Sequence, residues 1–128
     1  GWHRYPEQAA AGLWTTPSDL ARFVIDVRNA YLARPTQWIN QGTARLMLTV
    51  ASGDYGLGFR LDRDAGDLRF SHGGSNAGFR CVVIMHVRSG DGVVVMTNGD
   101  AGVPLMREIA SAVARVYAWP DAEMLWTR

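Results

Sequence analysis

The spacing of apolar positions changes period twice along the chain, and each change marks a new kind of element. Leu20, Phe23, Val24, Val27 and Tyr31 recur at intervals of three and four, which predicts a helix with one apolar stripe. Thr16-Pro17-Ser18-Asp19 marks its start: a hydroxyl that can accept an orphan N–H, a proline at the first helical position, and an acid three residues after the hydroxyl. Arg34-Pro35 closes it. A shorter helix is expected from Thr43 to Thr49, with Leu46, Met47 and Leu48 turned inward.

After Ser52-Gly53-Asp54 the period falls to two. Tyr55 to Leu61 reads as a strand, Asp64-Ala65-Gly66-Asp67 as a turn, and Leu68 to Ser71 as the returning strand. A longer strand follows from Arg80 to Val87, with Cys81, Val83, Met85 and Val87 on one face and Val82 and Ile84 on the other. Apolar residues on both faces place it in the interior of its sheet. Ser89-Gly90-Asp91-Gly92 turns the chain into Val93 to Thr97. Helical spacing then returns from about Pro104 to Tyr117, where Leu105, Ile109, Val113 and Val116 form the apolar side and Arg107, Glu108, Ser111 and Arg115 the polar side. Gly1 to Leu13 has no period and reads as an irregular lead-in. The sum is an α+β arrangement: an antiparallel sheet of about four strands, flanked by N-terminal helices and a long C-terminal helix.

With 128 residues, 48% of them hydrophobic, the chain is one domain, or a fragment of one, able to bury a core without staples. The positive charges are 13 arginines, scattered singly, against 12 acids, so nucleic-acid binding has no electrostatic footprint. The longest apolar run, Cys81 to Val87 with His86 inside it, is far short of the roughly 20 residues that cross a bilayer, so no membrane span is expected. A lone cysteine, Cys81, allows no internal disulfide and reads as an inert buried thiol. The absence of lysine excludes a Walker phosphate loop, a Schiff-base enzyme and a self-contained Ser–Lys dyad.

Candidate chemistry concentrates in FSHGGSNAGF, Phe70 to Phe79. A metal site is not expected there, since His3, His72 and His86 lack ligand spacing and His72 and His86 are expected on the order of 20 Å apart at about 3.3 Å per residue. Gly73-Gly74-Ser75-Asn76-Ala77 nearly matches a nucleophile elbow, but that motif turns from strand into helix and the residues after Ser75 read as strand. A purely structural reading has Gly73, Gly74 and Gly78 supplying unusual backbone angles for a hairpin connection, with His72 capping the strand. Glycine also serves where a ligand or another backbone approaches closely.

AAAGLWTTPSDLARF (Ala9 to Phe23), YGLGF (Tyr55 to Phe59), FSHGGSNAGF and VVVMTNGD (Val93 to Asp100) together resemble, in order and spacing, the C-terminal third of the serine β-lactamase-like hydrolases. That family takes in class C β-lactamases, penicillin-binding DD-peptidases, D-aminopeptidases and esterases, and uses three motifs: Ser-x-x-Lys, Tyr-x-Asn, and Lys-Thr-Gly or a variant that begins with histidine. His72-Gly73-Gly74 matches the histidine variant. The resemblance implies that His72 faces the cleft, that Gly73, Gly74 and Asn76 contact substrate, and that Ser75 contributes its backbone N–H to an oxyanion hole. It implies no cofactor, a small-molecule or peptide acyl substrate, and a bacterial protein of either the periplasm or exterior or the cytoplasm. In that family the terminal helices pack together on an antiparallel sheet, which agrees with the pattern of helices and strands read here.

Two departures shape the expectation. Gly73 lacks the hydroxyl that helps hold a carboxylate, and neither Ser-x-x-Lys nor Tyr-x-Asn occurs in the chain. The nucleophile, the lysine and the phenol are therefore expected in an N-terminal part of the same enzyme, and the chain alone is expected to be inactive. The alternative is a non-catalytic ligand-binding or assembly module derived from the same fold. A shortened sheet would also expose an apolar edge, so self-association is expected.

Overall fold

A computed structural model describes residues 6–64 and 66–126. The elements run α1 (Gln8–Ala11), α2 (Pro17–Tyr31), α3 (Gln41–Met47), β1 (Arg60–Asp64), β2 (Asp67–Asn76), β3 (Phe79–His86), β4 (Gly92–Thr97) and α4 (Gly102–Val116), with a final 3-10 turn at Ala122–Met124. The strands pair in sequence order as one antiparallel sheet, β1-β2-β3-β4. This is the α+β architecture expected from the sequence. Part of the lead-in, residues 1–5, and Ala65 of the first hairpin turn lie outside the described residues.

Helix α2 begins as its sequence requires: the Thr16 hydroxyl accepts from the Asp19 N–H at 3.1 Å, with proline at the first position. In α3, Asn40 accepts from Thr43 in the same way. The α3 reading is corrected at Leu46, which is exposed while Leu48 is buried. The strand expected at Tyr55 starts only at Arg60. Tyr55 makes two isolated bridges, Leu57 N–H donates to Met47 O, and Gly58 takes a left-handed φ of 83°, so the segment folds back against α3 before pairing begins.

Alternation along β3 divides two cores. Val83, Met85 and Val87 pack with Phe59, Leu61, Leu68 and Phe70 under Val24 and Val27 of α2. Val82 and Ile84 pack with Val95 under Met106, Ala110 and Ala114 of α4, and with Trp119 and Leu125 beyond it. Helices α2 and α4 thus cover opposite faces of the sheet.

The side of α4 that meets the sheet also differs from the expected one. Gly102, Met106, Ala110 and Ala114 face it, while Leu105, Ile109 and Val116 are exposed. Three of these four, Gly102, Ala110 and Ala114, are small and let the helix approach closely: a Cβ on Gly102 would lie 1.9 Å from the Thr97 hydroxyl oxygen. Closeness of backbone outweighed bulk in choosing the buried row.

Candidate active-site strand

The Phe70 to Phe79 stretch is neither an elbow nor a long connection. Strand β2 continues through all of Ser71-His72-Gly73-Gly74-Ser75-Asn76, pairing Ser71 with Ile84, His72 with Val83, Gly73 with Val82, Gly74 with Cys81, Ser75 with Arg80 and Asn76 with Phe79. Only Ala77 and Gly78 turn the chain, and Gly78 alone of the three glycines has a left-handed φ, 79°. The expectation of unusual angles at Gly73 and Gly74, and of His72 as a strand cap, is corrected accordingly. His72 and His86 lie opposite Val83 and three residues beyond it on β3, hence about 10 Å apart and not 20 Å at 3.3 Å per residue.

Pairing on the other side of β2 stops early. The last β1–β2 pair is Arg60 with Ser71. Among the described residues, the backbone of His72 to Asn76 has a strand neighbour on the β3 side only. The burial of β2 follows this change: Asp67 to Phe70 are buried, whereas His72, Gly73 and Ser75 are exposed and Gly74 and Asn76 half-buried. A row of outward N–H and C=O groups is thus presented beside two residues without side chains, a surface that an extended ligand can pair with.

Strand alternation separates the candidate side chains. His72 and Asn76 share the α2 face with Gly74, and Ser75 shares the α4 face with Gly73. Neither His72 nor Ser75 makes a side-chain hydrogen bond among the described residues. Asn76 Nδ2 donates to Ala11 O at 3.0 Å, and the Trp14 ring meets Phe79 edge-on at 5.4 Å, so the segment before α2 closes the turn end of the strand. Beneath Gly74 lies the Cys81 thiol: a Cβ at position 74 would sit 2.4 Å from Sγ. Burial pushes that thiol up, and the Gly74 N–H offsets only part of the rise, in keeping with an unreactive sulfur.

Two residues that the sequence reading did not single out hold this hairpin in place. Arg80 donates to the carbonyls of Asn76 and Phe79 and pairs with Asp100 at 3.0 Å. Asp100 in turn accepts from the Gly78 N–H at 2.9 Å. Asp100 closes the VVVMTNGD segment, whose order and spacing with the other motifs carry the resemblance. The Gly78 N–H, then the Arg80 guanidinium, hold its carboxyl below the ordinary value of 3.8 despite some desolvation. A lowered folded-state value means that the clamp is fully present above the ordinary carboxylate value and is lost as pH falls through the lower one. Amide spectra across an acid titration should therefore show Gly78 N–H losing its hydrogen-bonded shift and exchanging faster. In Asp100→Asn, which can still accept, that dependence should vanish; an unchanged Gly78 profile would show that another group titrates.

Among the described residues no cluster of three or more metal-ligating side chains occurs, and no helix is long and apolar enough to cross a membrane. A family model described as Beta-lactamase matches residues 1–118. No curated protein and no solved structure matches the chain.

Proposed function

The chain belongs to the β-lactamase family, and we propose that it forms the substrate-side strand of a serine hydrolase that transfers acyl groups to water. The observation that carries this reading is the half-paired edge of β2 from His72 to Asn76, with glycine at positions 73 and 74. An acyl substrate would lie along that edge and form main-chain hydrogen bonds as an added strand does. A serine supplied from outside these 128 residues, together with its lysine, would attack the acyl carbon. As that bond forms, the carbonyl electrons move onto oxygen, where the Ser75 N–H donates to the oxyanion, a contribution of about 3 kcal/mol in comparable sites. Collapse expels the leaving group, and water then releases the acyl group from the serine.

In this scheme His72 acts from the α2 side of the strand, hydrogen-bonding the proton relay or a substrate oxygen, and Asn76 contacts the substrate further along. Ser75 matters for its amide; its hydroxyl, on the α4 side, has no required part. The substrate class, whether lactam, D-amino-acid peptide or ester, would be set by groups across the cleft.

Two measurements test the reading. The 128-residue protein should turn over neither a chromogenic ester nor a chromogenic cephalosporin, since it has no lysine to activate a serine. Titration with an acylated D-amino-acid peptide should shift the amide signals of His72 to Asn76 and leave those of α4 in place. Turnover by the chain alone, or shifts confined to a different surface, would refute the proposal. The missing lysine also favours a second reading, a non-catalytic ligand-binding module. This would keep the amide shifts but give no activity when the chain is joined to a segment containing Ser-x-x-Lys.

A further inference from the structure

Register fixes which way the Ser75 amide points. Val87, one residue past β3, donates its N–H to Leu68 O at 2.8 Å, so Leu68 and Val87 form a hydrogen-bonded pair of the ladder. Such pairs alternate, and counting along β2 by twos turns the N–H and C=O groups of Phe70, His72, Gly74 and Asn76 toward β3. Those of Gly73 and Ser75 face the edge beyond the last β1 pair. The Ser75 amide therefore has no ladder bond to β3. Its place is set by the pairs on either side, Gly74 with Cys81 and Asn76 with Phe79.

The second of those pairs closes on a turn whose twist opposes that of the strands. The loop is only Ala77-Gly78, and φ is positive at Gly78 but not at Ala77. Those signs belong to a type II turn. Hairpins with two-residue loops favour types I′ and II′, because a type II turn splays the strands it joins. What holds this one comes from beyond the end of β4. Asp100 accepts from the Gly78 N–H at 2.9 Å and pairs with Arg80 at 3.0 Å. Arg80 donates to the carbonyls of Asn76 and Phe79 at 2.5 and 2.7 Å, tying together the two residues that the turn would splay. The clamp is anchored in its turn: the Gly102 N–H donates to Gly99 O at 3.0 Å, closing a turn around Asp100, and the Thr97 hydroxyl donates to Arg80 O at 3.1 Å.

We propose that Asp100 is a positioning residue for the oxyanion donor: through Gly78 and Arg80 it holds the type II turn closed, and so keeps the Ser75 N–H aligned along the β2 edge. The benefit to an acyl oxygen rests on the hydrolase reading, whereas the control of the amide does not.

Residual N–H dipolar couplings of the isotope-labelled protein, recorded without ligand and followed by titration with acetyl-D-alanyl-D-alanine, test it. Asp100→Ala should change the coupling of Ser75 and leave those of Leu68 to Phe70 in place, which also shows that the sheet is folded. A uniform loss of stability would not move the Ser75 coupling alone. The same variant should bind the peptide about tenfold more weakly, the size of one misaligned hydrogen bond. Asp100→Asn keeps an oxygen for the Gly78 N–H and should restore both the coupling and the affinity. An unmoved Ser75 coupling in Asp100→Ala, or an Asp100→Asn protein that behaves like Asp100→Ala, would overturn the proposal. A Ser75 amide that obeys Asp100 in a protein that binds no peptide would establish the positioning and refute the hydrolase reading instead.

Discussion

Replacing Arg69 by methionine is expected to lower the unfolding free energy by about 3–5 kcal/mol, a large part of the roughly 5–15 kcal/mol that holds a domain of this kind. Arg69 projects from β2 toward the α4 side and is almost fully buried. One guanidinium nitrogen hydrogen-bonds Asp121, which follows α4, and another hydrogen-bonds Asp62 of β1 at 3.0 Å. Both carboxylates are as buried as the arginine. Methionine would match much of the side chain's bulk but leave two carboxylates out of water without a cation.

In the intact network His86 is not a second cation. Its Nε2 lies 3.5 Å from Asp121 and its ring packs edge-on against Trp119, but burial holds its imidazole below the ordinary 6.5, more strongly than the Asp121 carboxylate raises it. Urea titration followed by the fluorescence of buried Trp119 provides the measurement. Asp54→Asn serves as the control, because the Arg60–Asp54 pair, though 2.6 Å long, is exposed and should contribute less than about 1 kcal/mol. An Arg69→Met cost no larger than that of the control would show that the buried acids are solvated or protonated in the folded protein.

That network also marks where sequence reasoning stops. Asp62, Arg69, His86 and Asp121 are separated by up to 59 positions, and each alone resembles an ordinary surface charge. They meet because β1, β2 and β3 are neighbours and the chain after α4 returns across the same face. No periodicity encodes that return. By contrast, the start of α2 was legible because its cap is local chemistry among Thr16, Pro17 and Asp19. The two faces of β3 were legible because alternation alone assigns them.

The glycine-rich stretch and α4 were misread for related reasons. Gly73-Gly74 looks like a turn when propensity is the only guide, yet pairing with Val82 and Cys81 carries it as strand. In α4 the bulkier row looked like the buried one, but a helix that lies close to a sheet needs Gly102, Ala110 and Ala114 at the contact. The family resemblance identified the candidate residues His72 to Asn76 together, which composition and period could not have done. Their division between the two faces, and the Arg80–Asp100 clamp that fixes their turn, depend on register.

Gly74→Ala should destabilise the protein by about 1–3 kcal/mol through overpacking, and its cause can be isolated. Position 74 does not have a left-handed φ, so alanine meets no backbone penalty there. The whole cost arises from a methyl group 2.4 Å from the Cys81 sulfur on the facing strand. Cys81→Ala deletes that sulfur, so the double variant G74A/C81A should recover most of the loss, with a coupling of about 1–2 kcal/mol in a thermodynamic cycle. The same double variant asks why glycine stands at position 74. If Gly74 also keeps the β2 edge flat for an acyl ligand, the repaired protein should be as stable as Cys81→Ala yet respond more weakly at His72 to Asn76 when titrated with the acylated peptide. Full recovery of both stability and amide response would mean that the glycine accommodates only the thiol, and the substrate role proposed for it would fall.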